Sequence, residues 1–308
     1  MNKDIVIGII CVVASEILFG FSYYITKVST SAISPITLIS WRFLVAFFVL
    51  ILLRLTRRIK INIKNKPKKQ LLTMLIFNPL LYYMGETFGI RYTTSSESGC
   101  IIASIPVVAL IASSILLKEK PSKNQLLGII TTILGVFTIV LSLGLSLSFS
   151  PLGYIMLMLA VISYSLFCVY SQKSHQYTSI EKTYLMIGFG SVFFTVWAII
   201  SSVKEHRLSQ YFNLPFNDVA LFFGILYLGI FSTVATYFLV NISINKIGTN
   251  RTASFVGIST LIGVISGIVL LNESFTIFQL IGSILILAGV YIANYKIDSK
   301  EASIQIGQ

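Results

Sequence analysis

The sequence predicts an all-α membrane protein: ten transmembrane helices in two inverted five-helix repeats, both termini cytoplasmic. Three observations predict it. Apolar runs recur at about the 20 residues a helix needs to cross a hydrocarbon core of about 30 Å. Positive charge collects in alternate connecting segments. Residues 101–140 also match residues 255–294 in type and spacing, the mark of an internal repeat.

Of the 308 residues 55% are hydrophobic and 11% charged, and the mean hydropathy is +0.87. A soluble domain carries about 25% charged residues, so a soluble fold is excluded. The net charge of +12 would suit nucleic acid in a soluble protein. Here it follows from membrane orientation, and we expect no nucleic-acid partner.

Taken in order, the first span is 5–28, too long for a signal-peptide core of about 7–15 apolar residues and therefore an uncleaved helix. Span 35–53 starts at Ser34-Pro35. Span 70–92 contains Asn78-Pro79, where the proline removes a backbone hydrogen bond and kinks the helix. Span 98–117 stops before Lys120-Pro121-Ser122, and 125–143 completes a first repeat of residues 1–143. Ser150-Pro151 opens span 152–172, followed by 183–203 and by 219–244, which ends near Lys246-Ile247-Gly248. Spans 252–271 and 277–295 complete the second repeat, residues 151–296, and leave 297–308 as a cytoplasmic tail. No connecting segment has room for an ATPase domain, and no G-x-x-x-x-G-K-[ST] phosphate loop occurs. Cys11, Cys100 and Cys168 lie within apolar runs and read as packing residues, with no disulfide expected.

Orientation follows from Lys and Arg. With the N-terminus inside, cytoplasmic segments hold 18 of the 23 basic residues and outer segments hold three, Arg91, Lys204 and Arg207. Lys27 and Arg42 lie inside helices. Eight of the cytoplasmic charges, Arg54 to Lys69, sit between spans two and three, where they suit anionic lipids. The expected location is the plasma membrane, in a bacterium the inner membrane, with a monomer or homodimer as the assembly.

The repeat sets Glu119 over Glu273, Gln125 over Gln279, Gly128 over Gly282 and Gly135 over Gly289. A weaker match sets Ala14, Phe21, Tyr24 and Lys27 over Ala160, Phe167, Tyr170 and Lys173. Each half has five spans, an odd number, so the second is inverted. Inverted repeats sharing a midplane site are the architecture of alternating access.

The run Tyr92-Thr93-Thr94-Ser95-Ser96-Glu97, with Ile105-Pro106-Val107, Leu117-Lys118-Glu119, Gln125-Leu126-Leu127-Gly128 and Gly135-Val136, resembles the EamA-type transporters of the drug/metabolite transporter superfamily. Phe19-Gly20-Phe21-Ser22, Trp41-Arg42-Phe43 and Leu271-Asn272-Glu273 fit the same family. The chain departs from it in the second half, where Thr260 stands opposite Pro106. The resemblance implies ten helices, a central cavity lined mainly by helices 1, 3, 4, 6, 8 and 9, and solute movement without ATP.

Candidate site residues come from polar groups stranded in apolar spans. Glu16 lies mid-helix, where a carboxylate costs roughly 2.5–3.5 kcal/mol on insertion scales and must face the bundle interior. Glu16, Gly20, Tyr23 and Lys27 fall on one helix face, a polar wall. Glu86 lies one turn beyond Tyr82. Either carboxylate reads as a proton or solute site, or as a counter-ion: for Arg42 in both cases, or for Arg91 in that of Glu86. Arg42 itself reads as half of a structural ion pair. Glu97, Glu119 and Glu273 stand at helix ends and read as cap or loop residues. Tyr23, Tyr82, Tyr164, Phe167 and Tyr237 supply aromatic faces that suit an organic cation, and Asn241 adds a neutral hydrogen-bonding group. His175 and His206 lie in loops on opposite sides, so no nucleophile has a histidine base and no metal-ligand cluster appears. We therefore expect no catalysis, no cofactor and no metal. The function indicated is secondary transport of a small organic solute, metabolite or drug by alternating access, linked to protons or cations. A non-transporting scaffold or sensor, with its buried charges as structural pairs, is the alternative.

Overall fold

The computed structural model describes residues 3–63, 66–118, 122–144, 150–273 and 276–294, and its helices begin at the polar punctuation of the sequence. After α1 (Lys3–Ala32), the Ser34 side chain accepts from the Thr37 backbone N–H at 3.3 Å, and Pro35 occupies the first turn of α2 (Pro35–Leu55). That turn has no internal partner for its N–H groups, so a capping hydroxyl and a proline both suit it.

The third predicted span is broken into α3 (Lys68–Leu75), a π-helical segment Ile76–Leu81, and α4 (Tyr82–Tyr92). Pro79 lies in the π segment, and Asn78 leaves helical backbone with φ −144° and ψ 114°. The kink expected at Asn78-Pro79 is therefore a widened turn. Thr94 and Glu97 form a reciprocal capping box at the start of α5 (Ser95–Ile102), as read for Glu97. Next come α6 (Ile105–Leu116) and α7 (Lys123–Gly144).

The second half repeats this grammar. Ser150 caps α8 (Pro151–Lys173), and a second capping box, Thr178 with Glu181, starts α9 (Ser179–Lys204). A short helix α10 (Leu208–Asn217) occupies a stretch read as loop. Its Tyr211 stacks on Trp41 at 5.6 Å and bonds Ser40 Oγ at 2.6 Å, which ties it to α2. The eighth predicted span comprises α11 (Val219–Leu226), a π segment Tyr227–Ala235, and α12 (Thr236–Ile247). No proline widens this turn. Thr233 and Thr236 donate instead to carbonyls five residues back, Leu228 O at 2.8 Å and Phe231 O at 3.2 Å. Gly248, at φ 80°, makes the sharp step into α13 (Thr249–Ser254), followed by α14 (Val256–Leu271) and α15 (Ile277–Asn294).

Among the described residues, seven helical rods are long and apolar enough to cross a membrane: Lys3–Ala32, Pro35–Leu55, Ser95–Leu116, Pro151–Lys173, Ser179–Lys204, Val219–Ile247 and Thr249–Leu271. Helices also stand at the other three predicted spans: α3 with α4, α7, and α15. Polarity runs inside-out. Ser15, Thr26, Arg42, Glu86 and Asn241 are buried, while Ile10, Phe48, Ile115, Ile155, Val192 and Phe223 are exposed. In water such a surface would be costly; against lipid it is neutral, and the buried polar groups glue the helices together.

In the packing, α4 lies on α8, α1 on both α12 and α14, α6 on α8, α5 on α14, and α7 on α15. The last pair meets backbone to backbone. A Cβ on Gly135 would stand 2.6 Å from Gly282 O, and one on Gly289 would stand 2.7 Å from Gly128 O. Any side chain at Gly135 or Gly289 would force the two helices apart. The end where α1 begins is termed the near end below, and the opposite end the far end.

Candidate functional site

Helices from both halves converge on a buried cavity lined by Glu16, Phe19 and Tyr23 of α1, Tyr82 and Tyr83 of α4, and Ile102 and Ile105 of α5 and α6. The second half contributes Tyr164 and Phe167 of α8, Thr236, Tyr237 and Val240 of α12, and Val256 and Ser259 of α14. Breaks in the rods place several of these groups. Tyr82 follows the first π segment, Tyr237 follows the second, and Ile105 and Val256 begin helices after short interruptions.

Glu16 is 3% exposed, and its carboxylate accepts a 2.6 Å hydrogen bond from the Ser259 hydroxyl. No Lys or Arg nitrogen lies within 4 Å of it among the described residues. The walls around it are aromatic. Phe19 meets Tyr23 edge-on at 5.5 Å, Tyr82 meets Tyr83 edge-on at 5.1 Å, and Tyr164 lies 5.3 Å from Tyr82 and 5.5 Å from Phe167. The Tyr237 hydroxyl bonds Asn78 Oδ1 in the first π segment. The cavity measures about 20 Å³, room for about one water. Its side chains fill it.

The ion pair expected of Arg42 is corrected by the structure. Arg42 is 1% exposed and reaches neither Glu16 nor Glu86. Its Nε donates to Thr233 Oγ1 at 2.7 Å, its Nη2 to Ser232 Oγ at 2.7 Å, Ser232 O at 3.3 Å and Tyr83 OH at 3.2 Å, and the guanidinium stands 4.4 Å from the Tyr83 ring centroid. The second π segment supplies most of these acceptors, because its widened turn frees the Ser232 carbonyl and aims two hydroxyls inward. The bonds are those that solvate a buried cation without a counter-ion.

The other candidates divide. Tyr23, Tyr82, Tyr164, Phe167 and Tyr237 line the cavity with Glu16. Glu86 does not. It is fully buried on α4 beyond Tyr82, and neither Arg42 nor Arg91 pairs with it. Asn241 is also away from the cavity, accepting from Ser171 Oγ at 2.9 Å and donating to Tyr237 O at 2.9 Å as a helix-packing residue. Lys27 ends the polar face of α1 by donating to Ile90 O at 3.1 Å, Arg91 O at 3.2 Å and Thr93 O, capping the C-terminus of α4. Sequence reasoning missed Phe19, Ser259 and Thr236 as wall residues. Neutral side chains in apolar runs carry no sign of which face is hollow.

The sequence profile of the EamA-like transporter family matches residues 6–141 and again 151–295. The chain belongs to this family. It is 28% identical over 293 residues to "Uncharacterized transporter YcxC" of Bacillus subtilis (strain 168), covering 94% of each chain. It is 27% identical over 280 residues to an "Uncharacterized transporter" of Archaeoglobus fulgidus, covering 89% of this chain and 94% of that one. A solved structure titled "Crystal structure of protein" aligns over 100% of both chains with a TM-score of 0.64 at 15% identity, a likeness of fold. This EamA-family protein is a multi-pass membrane transporter.

Proposed function

We propose that this EamA-family protein is a secondary transporter that carries a small organic solute with a cationic group across the plasma membrane by alternating access. In this reading ten helices span the membrane as two inverted halves, 1–143 and 151–296, with the near end and both termini in the cytoplasm. The double family match and the reciprocal Gly135–Gly282 and Gly289–Gly128 contacts support the two-fold arrangement.

One observation carries the reading: Glu16, a mid-helix carboxylate, sits in an aromatic cavity between the halves with a hydroxyl, and no cation, for a partner. A structural ion pair would have brought Arg42 to it. A solute ammonium at Glu16 would supply the missing charge, and each ring over it adds about 0.5–2 kcal/mol. A cavity of about 20 Å³ admits such a solute only when the rings part, as alternation requires.

The test is flux into proteoliposomes with a panel of organic cations and amino acids, without ATP. Glu16→Gln keeps a hydrogen bond to Ser259 and should remain folded while losing at least about tenfold in flux. Because Arg42 has its own neutral partners, adding Arg42→Gln should not rescue it. A folded Glu16→Gln protein with normal flux would end the reading.

A further inference from the structure

Resting on that transport reading, we propose that Glu86 is a proton site distinct from the solute site at Glu16: it carries a proton in the conformation seen here, and loss and regain of that proton drive the cycle. The site is built for it. Glu86 is 0% exposed, Oε2 accepts from Thr87 Oγ1 at 3.0 Å, and Oε1 is buried without a hydrogen-bond partner among the described residues. A carboxylate anion wants donors at both oxygens, and leaving one bare in a buried site is costly. A carboxylic acid needs fewer, and its O–H becomes a donor itself.

Among the described residues, the Tyr23 hydroxyl and Thr26 Oγ1 of α1 and Asn78 Nδ2 in the π segment that leads into α4 are also buried without a hydrogen-bond partner. The charged and titratable groups whose fields couple to Glu86 are Arg42 from α2, Tyr23 from α1, and Tyr82 and Tyr83 from its own helix. Among the described residues α8 and α5, which also pack on α4, contribute none.

Arg42 decides between a proton and a metal cation. A sodium ion beside Glu86 would be a second positive charge in the field of the buried Arg42 guanidinium, and it would need several oxygen ligands where the Thr87 hydroxyl is the oxygen that bonds Glu86. A proton neutralises the carboxyl and adds no net repulsion. When the bundle opens and Glu86 meets water or Arg42, the anion finds the donors it lacks here and the proton leaves. Glu86 (at Oε1 or Oε2) thus exchanges H⁺ with water, while Glu16 meets the solute.

The test does not need the solute. Infrared difference spectra of the purified protein, taken between acidic and alkaline buffer, resolve the C=O stretch of a protonated carboxyl from the carboxylate bands. A buried-carboxyl band should be present in the wild type, absent in Glu86→Gln and retained in Glu16→Gln. Should Glu86→Gln fold poorly, Thr87→Val keeps the carboxyl and removes its hydrogen bond, and the band should move to higher frequency. A carboxyl spectrum unchanged by Glu86→Gln, or a band that stays in place in Thr87→Val, overturns the proposal. In proteoliposomes, accumulation of tetraphenylphosphonium driven by a pH gradient should fall at least about tenfold in Glu86→Gln, within ordinary site-to-site coupling. Accumulation that keeps its full pH dependence in that variant also overturns it. A wild type that does not carry this probe, with the infrared result intact, counts against the solute class proposed above and leaves the proton site standing.

Discussion

At the far end of the bundle, Glu273 from the α14–α15 connection accepts from the backbone N–H groups of Ser95 at 2.7 Å and Ser96 at 2.9 Å, and from Ser96 Oγ at 2.7 Å. At the near end, among the described residues, Ser113 Oγ donates to Asn250 Oδ1 across the halves at 3.0 Å. Charged contacts also join the halves there. Lys66 to Glu181 at 2.5 Å ties down the α2–α3 loop, and Asp4 to Lys246 is an ion pair whose side chains are 62% and 31% exposed. The far end is thus closed by a carboxylate on the free N–H groups of a helix start, where charge and helix dipole act together. Among the described residues, no carboxylate at the near end bonds the first N–H groups of a helix from the other half. On these contacts, we expect the near end to open at the lower cost.

Breaking the far-end latch should therefore have the largest effect. Glu273→Gln removes the charge from three hydrogen bonds, each worth about 1.5–3 kcal/mol when one partner is charged, and we expect about 2–4 kcal/mol in all because glutamine still accepts with one oxygen. Amide exchange at Ser95 and Ser96 should quicken by roughly thirtyfold or more, 2 kcal/mol being about that factor in an equilibrium. Exchange as slow as in the wild type would show that other contacts hold this end. Lys27→Met attacks the same end from α1. It removes a half-buried ammonium from the carbonyls ending α4, for an expected loss of about 1–2 kcal/mol, read as a lower melting temperature.

Near-end changes should do less. Glu181→Gln keeps the capping box, because glutamine serves at that position, but removes the charge that Lys66 and the Asn62 N–H (3.0 Å) find. We expect about 1 kcal/mol and faster tryptic cleavage at Lys60, with exchange at Ser95 unchanged. Quicker exchange at Ser95 would mean that the two ends are coupled, and the comparison would have to be redrawn as one network.

Much of this was legible in the sequence because lipid makes the rules strict. A helix must reach across the core, and a charge inside it must be explained, so span lengths, Glu16, Glu86 and Arg42 were visible as apolar runs and as intruders. What those charges touch was not. Arg42 meets Thr233 and Ser232 through a π segment that no proline announces, and a widened turn set by hydroxyls five residues apart leaves no periodic signal. Glu273 was legible as a helix-end residue, yet the helix it caps is 178 positions away in the chain at Ser95. Ser259 looked like any serine in an apolar run until α14 packed against α1. Asn241 shows the converse, since a polar group on a helix face reads alike whether it meets a cavity or the Ser171 hydroxyl. The repeat's counterpart of Glu273, Glu119, lies outside the described residues, as does the cytoplasmic marker Lys300.

The smallest effect belongs to Asp4 and Lys246. They are the most conspicuous ion pair between the halves, joining α1 to α12 at the near end. Their exposure places them in high dielectric, where holding two side chains in one geometry offsets most of the Coulomb gain, and such pairs contribute about 0–1 kcal/mol. Asp4→Asn should lower the melting temperature by less than about 2 °C, given that 1 kcal/mol moves a chain of this size by roughly 2–4 °C or less. What remains of the effect should vanish in high salt, since screening at about 1 M reduces the Debye length to about 3 Å. The Glu273 latch, bonded to the N–H groups of the buried Ser95 and Ser96, should keep its contribution in the same buffer. Melting curves of Asp4→Asn and Glu273→Gln at low and high salt therefore test the comparison directly. If Asp4→Asn costs as much as Glu273→Gln and loses nothing in salt, the near end is sealed by charge after all, and the expectation that it opens more readily fails.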